Sequence, residues 1–114
     1  PPCSLDYYRE ALTHFDDDRQ VIIFTDDIDW CKNQQVFKGD RFLISETEDN
    51  VYDLCLLTLC EDYIIANSSF SWWGAWLSQN PNPKVIAPKR WFGTTGYTSK
   101  NNTEDLVPDR WVRI

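Results

Sequence analysis

In "SLDYYREALTHF" the apolar residues Leu5, Tyr8, Leu12 and Phe15 recur every three or four positions, predicting a helix over 4–15 with Ser4 placed to cap it. The aspartates of "DDDR" end it. "QVIIFTDD", 20–27, is a short β-branched run closed by acids, the pattern of a buried parallel strand whose carboxyl end opens into a loop. A short helix over about 28–35 and a second strand in "RFLIS", 41–45, follow. "DNVYDLCLLTLCED", 49–62, has apolar residues on most faces of a helix, so it is expected to be covered on several sides. "YIIAN", 63–67, reads as a third strand and "SSFSWWGAWLSQ" as the next helix; prolines break the chain before a fourth strand at about 84–87. Residues 93–108 are polar and turn-rich, and "RWVRI" supplies a last short element. Strand and helix alternate throughout. That alternation predicts an α/β fold, one Rossmann-like parallel sheet with helices on both faces, filling 1–114 as a single domain or a fragment of one.

Composition narrows the function. A net charge of -7 and a pI near 4.5 make nucleic acid and anionic lipid poor partners. Four cysteines without a CxxC pair, and His14 as the one histidine, provide no ordinary zinc site. Reduced, mostly buried thiols are the expectation, with disulfides the alternative. His14 lies on the first helix, far in the chain from the serine-rich turn, which argues against a Ser-His-Asp triad. Neither a signal peptide nor an apolar anchor is visible, and the sequence leaves location open.

In a parallel sheet, ligands gather where strand carboxyl ends meet helix starts. Thr25, Asp26 and Asp27 fall there after the first strand, Ser45 and Glu46 after the second, and Asn67, Ser68, Ser69 and Ser71 after the third. The plain alternative is that these small polar groups only cap the following helices. A helix starting near Ser69 offers unpaired amides and the positive end of its dipole, and a diphosphate suits both. Trp72 with Trp76, and Trp73 with Leu77, form two stripes that would pack the helix in place. Trp73, Trp76 and Leu77 are expected in the core, Phe70 and Trp72 near the mouth, and Gly74 where another backbone comes close. Asp27 and Asp29 form a DxD, a weak signal in an aspartate-rich chain, and no metal is expected from it. Asn67 and Asn101 begin glycan sequons that matter only in a secreted chain.

"FTDDIDWCK", "YDLCLLTLCEDYIIANSSFSWWGAWL" and "PNPKVIAPKRWF", in that order, resemble the carboxyl-terminal region of the α-1,2-fucosyltransferases of glycosyltransferase family 11. The resemblance covers about residues 20–92. It implies the carboxyl-terminal, donor-binding half of a GT-B enzyme that moves L-fucose from GDP-fucose to the 2-hydroxyl of a galactose-type acceptor, inverting the anomeric centre without a metal. It places donor contacts on Thr25, Asp26 and Asp27 and on Asn67, Ser68, Ser69, Phe70, Ser71 and Trp72; Asp26 and Glu46 are catalytic candidates by type alone. The family's HxRRGDY-type basic motif has no counterpart here, so the amino-terminal acceptor domain is expected to be missing and these 114 residues to be inactive alone. Two other readings stand beside this one: a non-catalytic Rossmann-like binding module, and a metal-dependent glycosyltransferase using Asp27 and Asp29.

Overall fold

The computed structural model describes residues 3–47, 49–66, 68–89, 108 and 110–114. Asn67, Asn101 and most of the polar 93–108 stretch lie outside the described residues. The elements run α1 (Leu5–Leu12), β1 (Val21–Ile23), α2 (Ile28–Lys32), a 3-10 turn (Gln35–Phe37), β2 (Phe42–Ile44), α3 (Asn50–Thr58), β3 (Tyr63–Ile64), α4 (Ser69–Trp76), β4 (Val85–Ala87) and β5 (Val112–Arg113). Short polar side chains start the helices as the sequence suggests. Ser4 accepts the Tyr7 amide and Asp49 those of Val51 and Tyr52, satisfying donors that a first helical turn leaves open. Before β2, Gly39 takes a φ of 125°, which L side chains rarely adopt, and its carbonyl accepts the Phe42 amide.

All strand pairs are parallel, as expected, but they form two sheets instead of one. β1 pairs with β2, and β3, β4 and β5 form a second sheet with β4 in the middle. The period-two alternation of the second sheet sorts its side chains cleanly. On one face Ile64, Ile86, Val112 and Ile114 pack with Tyr7 and Ala11 of α1. Tyr63, Ile65, Val85, Ala87 and Trp111 cluster on the other with Ala75 of α4. Helices therefore cover both faces, and Val85, Ile86 and Ala87 are fully buried.

Tyr7 repairs a gap in this ladder. The β3/β4 register continues from Tyr63↔Val85 and would bring the amide of residue 88 to the Ile65 carbonyl, but Pro88 has no N–H. The Tyr7 hydroxyl stands 2.5 Å from that carbonyl and 3.1 Å from the Ile86 carbonyl. Tyr7→Phe is expected to lose about 1–3 kcal/mol, read as a lower urea midpoint with unchanged slope, because a buried acceptor is left without its donor. Burial also pushes the Tyr7 phenol well above its ordinary value, and Tyr8 and Tyr63 shift in the same direction. A phenol pKa raised in the fold means full stability below the unfolded value of about 10 and loss above it, as the unfolded chain alone ionises. Stability is therefore expected to fall from about pH 10 upward, by about 1.4 kcal/mol per pH unit from Tyr7 alone, and less steeply in Tyr7→Phe.

Other expectations need correction. Trp73, Trp76 and Leu77 are 48%, 46% and 48% exposed, so they are not core. α4 has two turns and lays its small residues, Gly74 and Ala75, against the interior, leaving no depth there for indoles. The close approach at Gly74 comes from the Leu57 side chain, not from another backbone. α3 is not covered on several sides either: Val51 and Leu59 are 72% and 66% exposed, and Tyr52 and Cys55 are open as well. Ile22 and Leu43 show that one face of the smaller sheet also meets water. Among the described residues no disulfide joins the cysteines, but only Cys31 is buried. No helix among the described residues is long and apolar enough to cross a membrane.

Candidate functional site

A cleft of about 680 Å³ runs between the two sheets, from the amino ends of β1 and β3 to their carboxyl ends. Arg19 and Asp62 lie at its amino end, and its carboxyl end, the mouth, is bounded by Thr25 beyond β1 and by Ala66, Ser68, Phe70 and Ser71 beyond β3. The wall between is mostly apolar. The structure thus brings together two of the three strand ends singled out in the sequence.

At the start of α4, Ser68 caps its own helix: its Oγ accepts the Ser71 amide at 3.3 Å and lies 2.9 Å from the Ser71 hydroxyl. The Ser71 Oγ lies 2.9 Å from the Ala66 carbonyl, which fastens the helix start to the end of β3. Both serines do the local work that the plainer reading of them predicts. The amides of Ser69 and Phe70 have no acceptor among the described residues, and Ser69 is exposed. These are the first-turn donors that carry the partial positive charge of a helix end. Phe70 is half-buried on the cleft wall. Trp72 turns away from the mouth: it stacks on Trp76 with ring centroids 5.3 Å apart and packs against the core cluster that holds Trp111. Arg110 lies over the Trp76 ring at 5.5 Å.

On the opposite lip, the Thr25 Oγ1 accepts the Asp27 amide at 3.0 Å, and the Asp27 Oδ1 accepts the Trp30 amide at 3.1 Å, capping α2. Asp26 and Asp27 are exposed and stand outside the cleft wall. Glu46 is also outside it and forms an ion pair with Lys32 at 2.5 Å. The ammonium holds the Glu46 carboxyl below its ordinary value, and Glu46 holds the Lys32 amine above its own. The pairing thus favours the ionised carboxylate, which cannot supply a proton and is a weaker base than an unpaired glutamate.

Sequence reasoning passed over Asp53. It is 7% exposed in the first turn of α3 and accepts the Ser45 hydroxyl at 2.9 Å, so Ser45 at the end of β2 is held by a buried carboxylate. A strand-end serine eight residues before an acid inside an apolar helix is the signal that was available. The cleft's cations are placed in an unexpected way: Arg19 and Arg41 precede β1 and β2, at the amino ends, away from the mouth. Arg19 is paired with Asp62 at 2.9 Å, and Arg41 donates to the Asp16 carbonyl at 3.2 Å. Among the described residues that bound the mouth there is no basic side chain. An anion there meets amides, hydroxyls and a helix dipole.

Comparison with known proteins gives the family of the chain. A family model described as "Glycosyl transferase family 11" matches residues 2–114. The O-antigen biosynthesis glycosyltransferase WbnK of Escherichia coli is 33% identical over 115 residues, covering 96% of this chain and 36% of that protein. An alpha-1,2-colitosyltransferase of Escherichia coli is 35% identical over 118 residues, covering 98% of this chain and 39% of its own. The chain thus spans a little over a third of the length of these curated relatives. No solved structure matches it.

Proposed function

This chain belongs to glycosyl transferase family 11, and on that premise we propose that it is the donor-binding, carboxyl-terminal part of a GT-B α-1,2-fucosyltransferase. The donor is GDP-fucose, and L-fucose passes with inversion to the 2-hydroxyl of a galactose-containing acceptor held by a part of the enzyme beyond these 114 residues. The observation that carries the reading is the mouth of the cleft, where Thr25 on one lip and Ser68, Phe70 and Ser71 on the other line one space, beside the first turn of α4 whose Ser69 and Phe70 amides are open among the described residues. A diphosphate fits there because first-turn N–H groups and the helix dipole favour negative charge.

In an inverting transfer the acceptor oxygen attacks the anomeric carbon as GDP departs, and negative charge grows on the β-phosphate. Fixed donors aimed at that charge lower the barrier, and α4 supplies them. Since the mouth carries no basic side chain among the described residues, a cation from beyond them completes the neutralisation, and the chain alone is assigned no transfer activity. The reading also assigns no metal to the step. Asp27 is occupied in capping α2, and Asp29 stands two residues on in the first turn, a spacing at which helical side chains do not face each other. Asp26 and Glu46 remain candidates for the base only through closure of the lips, since neither lines the cleft.

One relative favours a second sugar. The alpha-1,2-colitosyltransferase raises colitosyl transfer as the alternative, and assays of the full-length enzyme with each activated sugar decide between the two. For this chain, calorimetric titration with GDP-fucose, GDP and UDP is expected to show guanine-selective binding, at least about tenfold tighter than UDP. Ser69→Leu, which sets bulk over the open amides at an exposed position, is expected to weaken GDP binding and leave the urea midpoint unchanged. Equal affinity for all three nucleotides, or no binding, contradicts the proposal.

A further inference from the structure

The cleft is a seam in the sheet. In a parallel ladder both the N–H and the C=O of one residue point to the same neighbouring strand, and those of the next residue point the opposite way. Val21 donates to the Arg41 carbonyl and Ser45 to that of Ile23, so Val21 and Ile23 serve β2 while Ile22 and Phe24 present their backbone groups to the cleft. Tyr63 and Ile65 donate to the Lys84 and Ile86 carbonyls, each at 2.9 Å, so Ile64 and Ala66 present theirs from the other side. All four residues line the cleft, and their amides find no acceptor among the described residues. Two parallel edges therefore face each other across space that α1 and α3 bound above and below.

One end of the seam is latched. Arg19, before β1, pairs with the Asp62 Oδ2 at 2.9 Å, while the Asp62 Oδ1 accepts the Lys84 amide at 2.7 Å, tying the amino ends of β1, β3 and β4 together. The other end is the mouth, where Thr25 rides on one lip and the start of α4, anchored by Ser71 to Ala66, rides on the other.

We propose that the two sheets are jaws hinged at Arg19–Asp62, and that they zip along Ile22/Phe24 and Ile64/Ala66 into one five-stranded parallel sheet of order β2-β1-β3-β4-β5. Closure pairs edge groups that water otherwise holds, removes the apolar walls from solvent, and brings Thr25 toward α4. A ligand that touches both lips binds the closed form better and shifts the population toward it. The hinge stands on the ladder geometry alone; its coupling to GDP rests on the reading under Proposed function.

Amide hydrogen exchange on the full chain, followed by NMR with and without saturating GDP, tests this. In the free chain the amides of Ile22, Phe24, Ile64 and Ala66 are expected to share one protection factor and to exchange at least about tenfold faster than those of Ile23 and Ile65. GDP is expected to slow the four together by about tenfold or more. If they are as slow as Ile23 and Ile65 in the free chain, the sheet is permanently continuous and the hinge is overturned. Unrelated rates for the four overturn it too, as does binding of GDP at the Ser69 and Phe70 amides with no slowing. Should GDP perturb no amide at the mouth, the donor-site reading fails, and the free-chain rates still decide the hinge: one shared factor upholds it and four separate ones reject it.

Discussion

Ile86→Ala is expected to lower the stability of this chain by about 2–5 kcal/mol, the largest loss for a single truncation here. Ile86 is fully buried in β4, the strand with a neighbour on each side, and it packs against Tyr7 and Ala11 of α1. Its removal loses the transfer energy of the deleted carbons and leaves a cavity that cannot easily collapse, because β4 is held by ladders to β3 and β5. Domains of this size commonly have only about 5–15 kcal/mol in total, so a substantial unfolded population is expected at moderate urea. The urea midpoint measures it. A change below about 0.5 kcal/mol would mean that α1 does not pack on β4 as described.

Gly74→Ala comes next, and by the opposite mechanism. A Cβ at position 74 would lie 2.1 Å from the Leu57 Cδ2 and 2.5 Å from its Cγ, so the collision reaches into the branch point and rotating one methyl does not relieve it. Either Leu57 leaves its rotamer or α3 and α4 separate, and overpacking of this kind costs about 1–3 kcal/mol. Alanine has the higher helix propensity, by about 1 kcal/mol, which makes the sign of the result informative. Destabilisation confirms that α3 and α4 meet through this glycine; stabilisation would show that they do not. Leu57→Ala in the same background is expected to restore part of the loss, since it removes the colliding atoms.

Much of the fold was legible because the chemistry is local. The repeat of Leu5, Tyr8 and Leu12 behind Ser4, the apolar runs at 21–23, 42–44 and 85–87, and the prolines before β4 each act within a few residues of themselves. Each predicted strand and helix is present, with ends trimmed by a few residues. What was not legible depends on partners distant in the chain. Val21–Ile23 is as apolar as a central strand, yet nothing in those side chains states which edge is paired, and the division into two sheets was missed. Hydrophobicity likewise does not say what lies over a residue. Trp73, Trp76, Val51 and Leu59 read as interior and are exposed; in α4 the small residues Gly74 and Ala75 take the inward positions.

The candidate site was legible in type and only half in role. Serines after the third strand indicated a helix start, and the structure puts α4 there, with Ser68 and Ser71 lining the mouth of a cleft. Ser68 and Asp27 are caps, a use that the same residue types serve equally well, and no pattern of composition separates a cap from a ligand. Asp53 escaped notice because its burial follows from the packing of α3 and not from its neighbours in the chain.

A crystal structure of this chain with GDP tests the central claim most directly. The account predicts diphosphate oxygens within about 3 Å of the Ser69 and Phe70 amides at the start of α4, with Thr25 across the mouth. GDP bound on another surface, or a first turn of α4 roofed by side chains that leave no room for phosphate, would contradict it.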